Sequence, residues 1–336
     1  MQMKNYEISL TESMAMKGIA IIAMLVHHLF YDTMEYGALV NHIAWLGKAC
    51  VAIFLFLSGY GLTYQYMRAE DNKTVRGTMK FLCRRFTKFY LNYWIVFLIA
   101  VPLGVFVFGR TLDVPYGTDN NHLLMLLTDF LGLNLYESYN ITWWFNRVII
   151  IFYLLFPLLF KFTSYKPLAL LGLPFAYLEC TFCPFYFGIV ASRYREDVNR
   201  FLNRLPAWSI ILTSAVMIVV LCFVRQLSPI PYLQGTNIDA LTTVFLSLLI
   251  VSWANVRHTE YRVLTFLGKH SREMYLCHTF IYLYFFSDFI YQFKYPVLIV
   301  LALIICSLAV SIAIEQLKKC ISFYKFQDYL LRKITQ

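Results

Sequence analysis

Eight apolar runs, each close to the length a bilayer demands, constrain this chain more than any other feature. They fall at roughly 16–34, 44–66, 89–109, 143–160, 207–224, 238–256, 274–293 and 296–317, and a membrane helix needs about 20 such residues. Composition agrees. Hydrophobic residues make up 60% of the chain, charged residues 14%, and mean hydropathy is +0.60; a soluble domain of 336 residues could not bury that much apolar surface. The fold class expected is therefore an all-α, polytopic integral membrane bundle.

Between Lys166 and Arg193 the pattern changes. Pro167 to Leu178 and Thr181 to Ser192 are each about a dozen residues, too short to span comfortably, and Pro174 and Pro184 interrupt them. Such backbone survives at membrane depth only against protein or a wet cavity. With this short broken pair near 167–192 included, about ten transmembrane helices are expected. The first run is followed by His-His-Leu-Phe-Tyr-Asp instead of a small-residue cleavage site, so it reads as a retained span.

Charge sets the expected orientation. With the N-terminus in the cytoplasm, 24 of the 29 basic residues lie on inner segments, leaving Lys48, Arg110, Arg147, Arg225 and Lys294 outside. That bias is the positive-inside pattern, and it implies a multi-pass protein of the cell membrane with both termini cytoplasmic. The net charge of +10 has the same origin and does not point to nucleic acid.

Within the first run, Lys17 and His28 place a cation and an imidazole where ionisable groups are costly, which marks a functional site by default. The step between them turns a helix by about 1100°, three turns plus about 20°, so both side chains share one face about 16 Å apart along the axis. His27 points roughly 80° away from Lys17 and reads as structural. Tyr31 and Asp32 follow His28 at helical spacings that could orient its ring.

The eight cysteines are scattered through apolar runs. Cys180-Thr-Phe-Cys183 is the only close pair, a weak metal or redox signal, and no metal site is expected. Asn72-Lys-Thr and Asn140-Ile-Thr match the glycosylation sequon by chance. One membrane domain, 1–336, is expected, with an outer loop at 110–142 and no appended soluble domain. Inside that loop, His122 to Leu135 reads as an interfacial amphipathic helix. Its amides and aromatic rings suit a sugar acceptor and equally an ordinary solvated loop.

Several segments together are similar to the membrane acyltransferase 3 family. They are Lys17-Gly-Ile-Ala leading to His28; Ser58-Gly59-Tyr60 on the second span; Arg84-Arg85-Phe86-Thr87-Lys88 at the start of the third; Trp143-Trp144-Phe145 with Tyr153-Leu-Leu-Phe-Pro157; Phe185-Tyr-Phe-Gly188; and Gly268-Lys-His-Ser271-Arg-Glu-Met-Tyr275-Leu-Cys-His278. The resemblance covers Lys17 to about Leu317. It departs where Lys17 and Lys88 stand in place of Arg, keeping charge but losing the bidentate fork, and where a Glu before the Tyr-x-x-x-Pro segment is missing, with Ile149 nearby.

The resemblance implies a membrane O-acyltransferase that moves acetyl from cytoplasmic acetyl-CoA to a hydroxyl of a surface polysaccharide or its lipid-linked precursor. Lys17, Arg84, Arg85 and Lys88 would hold the donor's phosphates at the inner mouth. His28 would act as general base or carry the acyl group itself, with Asp32 fixing its tautomer. Possible site-lining residues are Tyr31, Ser58, Trp143, Trp144, Ser271, Tyr275 and His278. Among these, Ser58 either donates to the thioester oxygen or packs its helix, His278 is structural or functional, and the two tryptophans line the site or belong to an interfacial belt. The competing reading is a transporter or flippase of a lipid or glycan, which would be expected to show an inverted repeat; a membrane scaffold or sensor would leave Lys17 and His28 unexplained.

Overall fold

Ser9 and Glu12 start the first helix by capping each other. The Ser9 amide donates to Glu12 Oε2 (2.9 Å), and the Glu12 amide donates back to Ser9 Oγ (3.4 Å), which satisfies amides that a helix end leaves without partners. This helix opens a computed structural model that describes residues 4–69, 74–178, 182–230, 235–257 and 260–335. Among the described residues the helices run α1 (Leu10–Phe30), α2 (Ala38–Gly47), α3 (Cys50–Arg68), α4 (Val75–Phe106), α5 (Asp113–Tyr116), α6 (His122–Phe130), α7 (Trp144–Phe162) and α8 (Lys166–Leu178). They continue as α9 (Phe182–Arg193), α10 (Arg195–Leu202), α11 (Ala207–Leu227), α12 (Thr236–Arg257), α13 (Arg262–Thr279), α14 (Ser287–Tyr291), α15 (Pro296–Cys320) and α16 (Phe323–Thr335), with no strand among them. Asn72 of the first sequon and Cys180 of the cysteine pair lie outside the described residues.

Seven helical segments among the described residues are long and apolar enough to cross a membrane: Leu10–Phe30, Ala38–Arg68, Val75–Phe106, Ile141–Phe162, Ala207–Leu227, Asn237–Arg257 and Pro296–Cys320. The chain is thus a multi-pass helical membrane protein. The short pair has the expected lengths, 13 residues in α8 and 12 in α9. The single span expected at 274–293 is corrected. Its helix begins at Arg262, passes into a π-helical stretch at Phe280–Phe285 and gives way to the five-residue α14. Arg262, Lys269, Arg272 and Glu273 leave α13 too charged to count as an apolar span.

The chain forms two compact units. The first comprises Met1–Glu70 and Leu158–Ser271; the second comprises Asp71–Pro157 and Arg272–Gln336. In the first, α3 and α9 pair along their length, and glycine makes it possible. A Cβ on Gly59 would lie 2.2 Å from the Phe185 carbonyl oxygen, and one on Gly188 would lie 2.1 Å from that of Phe56. The two backbones therefore touch, as small residues allow between membrane helices. A second seam joins α1 to α13, where a Cβ on Gly18 would strike Leu264 O at 2.1 Å and one on Gly268 would strike Met14 O at 1.9 Å. Between α11 and α12 the buried Arg225 pairs with the buried Asp239 (Nε–Oδ1 2.6 Å, Nη2–Oδ2 3.2 Å) and donates to Trp45 O on α2 (3.0 Å).

The second unit is built on aromatic rings. Trp143 is fully buried among Tyr93, Phe97 and Phe280, with ring centroids 5.3, 5.6 and 5.8 Å away, and its indole N–H donates to Leu276 O at 3.2 Å. Lys318 of α15, 1% exposed, donates to Glu273 Oε1 on α13 (2.6 Å) and Asn92 Oδ1 on α4 (2.9 Å). α16 packs on α4 and buries Phe323, Gln327 and Leu331, one stripe at four-residue spacing.

Gly59 has a natural control two residues away, because a Cβ on Gly61 would meet nothing within 4 Å. Gly59→Ala should cost about 1–3 kcal/mol through overpacking. Gly61→Ala should be neutral or stabilising by up to about 1 kcal/mol. Thermal melting of both variants in detergent checks this, and equal melting temperatures would refute the α3–α9 seam.

Candidate active site

α1 is unbroken from Leu10 to Phe30, so Lys17 and His28 keep the shared face that their spacing dictates. Both are half-buried. The His28 ring lies 5.2 Å from that of His27 and 6.3 Å, edge-on, from that of Tyr31. His27 contacts the Ala44 carbonyl oxygen through Nδ1 at 2.9 Å and stacks on Tyr31 at 4.7 Å. A carbonyl only accepts, so that contact makes Nδ1 the protonated nitrogen, and His27 is a structural tie between α1 and α2.

Asp32 falls beyond the end of α1. The helix stops at Phe30, Tyr31 caps it by donating its amide to His27 O (2.9 Å), and Asp32 lies exposed in the turn beyond. Helical spacing carries Asp32 under His28 only if the helix continues, and it does not. Tyr31 is the ring neighbour instead. Ser58 is half-buried beside the Gly59 seam. Ser271 is buried, and its hydroxyl donates to Gly268 O three residues back (2.9 Å), a bond internal to its own helix.

In the second unit, Arg84 and Lys88 are exposed on α4, and Arg85 is half-buried over the Phe81 ring at 5.2 Å. Arg84, Arg85 and Arg272 all lie near enough to Lys88 for their charges to act on it, and Asp328 on α16 acts with the opposite sign. Arg272 thereby joins a basic cluster that reading each motif separately leaves incomplete. Trp143, Tyr275 and His278 come together, but as packing. Tyr275 donates its hydroxyl to Thr142 O (2.7 Å), and the fully buried His278 donates Nδ1–H to Tyr275 O (2.7 Å). Neither an interfacial belt nor a site lining describes Trp143, which is core. Trp144 differs, at 37% exposed and lining a cavity.

That cavity, about 420 Å³, lies in the second unit between the segment after α4, the 134–138 turn and the start of α7. A carboxylate missed from sequence holds its lining residue Asn134 from behind. Asp129 of α6, fully buried, accepts at Oδ2 from Tyr116 O–H (2.8 Å) and the Tyr139 amide (2.6 Å), and at Oδ1 from Asn134 Nδ2 (2.8 Å). Burial raises its carboxyl above the usual range, partly offset by these bonds. Burial and the neighbouring Asp129 charge together push Tyr116 up, and burial pushes Tyr139 up to about 12. α6 covers 122–130, a shorter helix than the 122–135 expected, because Gly132 turns left-handed at φ 69° just past its C-cap.

No group of three or more potential metal ligands occurs among the described residues. What the geometry defines is a multi-pass helical bundle carrying a half-buried imidazole in line with a cation on one helix and a basic cluster on another. The family model described as an acyltransferase domain matches residues 13–316, and the chain belongs to the acyltransferase 3 family. No curated protein and no solved structure matches it.

Asp129 gives a signed pH test. Its folded-state pKa lies above 3.8, so ionisation between 3.8 and the folded value disfavours the folded state. Its contribution is greatest below that window and declines as pH rises through it. The melting-temperature difference between the native protein and Asp129→Asn should therefore shrink across that window as pH rises. A difference that grows would contradict the burial assigned to this carboxyl.

Proposed function

We propose that this acyltransferase moves acetyl from acetyl-CoA to a hydroxyl of a surface polysaccharide or its lipid-linked precursor, working across the cell membrane with both chain termini in the cytoplasm. The observation that carries the reading is α1, a continuous helix that keeps Lys17 and His28 in register. Acetyl-CoA is a cytoplasmic thioester with several phosphate charges. Arg84, Arg85, Lys88 and Arg272 offer the guanidinium and ammonium donors such phosphates require, and Lys17 adds a further cation on the first unit.

A sugar hydroxyl is a poor nucleophile at neutral pH, and imidazole has the unperturbed pKa suited to accept its proton. In the proposed step His28 takes that proton while the oxygen attacks the thioester carbonyl. The carbon–sulfur bond then breaks, the ester forms, and the coenzyme A thiolate leaves to be protonated. Tyr31, edge-on to His28, restricts the ring.

His28→Ala should lower acetyl transfer by about 10²–10⁴-fold, the usual worth of a positioned base, while membrane insertion and melting temperature stay unchanged. Radiolabelled acetyl transfer by membranes carrying each form measures it, and retained turnover removes His28 from the mechanism. Arg84→Gln and Arg85→Gln should each raise KM for acetyl-CoA about tenfold with little change in kcat, the pattern expected when only ground-state binding is lost. Steady-state kinetics with varied donor separates this from a chemical role.

A further inference from the structure

From the cavity that Asn134 lines, we propose that the second unit holds a binding subsite for the negatively charged group of an acidic saccharide. The proposal rests on the glycan-acceptor reading above and adds to it the charge class of the acceptor. At about 420 Å³ the cavity falls within the range of small-ligand sites, and its walls are specific in three ways.

First, two guanidiniums line it, and both are held in place. Arg110 donates Nη2–H to Tyr139 O (3.3 Å) and lies 3.8 Å from the Tyr284 ring centroid. Arg147 donates Nη1–H to Asn134 O (3.0 Å). Each anchoring bond uses one of five N–H donors. Neither arginine is in an ion pair among the described residues.

Second, polar atoms on the wall are buried without partners. Asn134 is 6% exposed; its amide nitrogen serves Asp129 and Ser138, and its Oδ1 has no hydrogen-bond partner among the described residues. The buried Nε of Arg110 has none either. Buried polar atoms are nearly always bonded; these two have no surface open to the cavity, so a ligand that supplies both a donor and an acceptor pairs them once the Asn134 and Arg110 side chains shift toward it. A sugar bearing a carboxylate or phosphate does so, because its hydroxyls donate and its anionic oxygens accept.

Third, Trp144 and Tyr136 offer exposed ring faces, 37% and 53% accessible, against which the apolar face of a pyranose can lie. The one carboxylate on the lining, Glu137, is exposed. It can accept from a sugar hydroxyl and leaves the lining residues with one net positive charge. A neutral sugar would desolvate two guanidiniums without compensating them, which is the physical basis of the preference.

The test is calorimetric titration of the full-length protein in nanodiscs with glucuronate, its uncharged isostere glucuronamide, glucose and glucose 6-phosphate, with no acyl donor present. Glucuronate or the phosphate should bind about tenfold or more tightly than glucuronamide and glucose, with affinity falling as salt rises. The stronger of the two anions identifies the acidic group. Arg110→Gln and Arg147→Gln should each abolish the discrimination; should either fail to fold, the comparison of glucuronate with glucuronamide in the native protein still decides. Equal affinity for the charged and uncharged sugars, or binding of none, overturns the proposal. The readout needs no turnover, so His28→Ala should bind glucuronate normally. Charge-selective binding without acetyl transfer by the native protein would sink the transferase chemistry alone, and transfer without charge selectivity would sink this subsite alone.

Discussion

Each unit closes around an ion pair taken out of water, and that need to satisfy charge internally governs what the surrounding helices can do. In the first unit Arg225 reaches Asp239 with two nitrogens and Trp45 O with a third. In the second, Lys318 is held by Glu273 and Asn92. Lipid offers no substitute partner, so removing one member strands its counterpart at a cost of about 3–5 kcal/mol. Such pairs add little net stability compared with apolar packing, but they tolerate very few alternative arrangements. They fix which faces of α2, α11 and α12, and of α4, α13 and α15, are turned toward one another.

Glycine supplies the complementary constraint. An ion pair sets rotation; a glycine seam sets distance. Gly59 and Gly188 face each other's helix backbone, and Gly18 and Gly268 do the same along α1 and α13. The second seam matters for the chemistry because it clamps the N-terminal half of α1, one position from Lys17. Gly47 against Ala23 O (2.4 Å for an added Cβ) and the His27 contact to Ala44 clamp the C-terminal half, next to His28. The helix that carries the proposed base is thereby held at both ends, the preorganisation a catalytic group requires.

Much of this was legible in the sequence and part was not, for identifiable reasons. Apolar run length located seven of the membrane helices because spanning imposes a length on every one of them. The short pair was legible because a dozen residues cannot satisfy that length. The span expected at 274–293 was misplaced because α13 is half polar, and window hydropathy cannot see a helix that begins in charge. Asp32 was placed by a helical spacing that runs two residues past the end of α1, an end that carries no Gly or Pro signal. Trp143 was left between a site lining and an interfacial belt because tryptophan suits both, whereas only the partners Tyr93, Phe97 and Phe280, remote in sequence, make it core. Asp129 was invisible for a different reason: its partners Tyr116, Asn134 and Tyr139 lie within 13 residues of it, but irregular backbone of no fixed period brings them to it.

The two kinds of site are accordingly built from different material. The cations and imidazole that suit an acyl donor stand on long helices, where a repeat of 3.6 residues fixes them and a sequence reader can compute their alignment. The cavity that suits an acceptor stands on turns, where Asn134 in a left-handed conformation, a buried carboxylate and two anchored arginines set its shape. Rigid helical positions would serve the single acyl donor proposed above. Acceptors differ in charge and in the hydroxyl presented, and turns can be rebuilt without disturbing the bundle. The Asp129 hub reconciles the two demands, because it gives an irregular segment the fixed hydrogen bonds that a helix obtains from its own backbone.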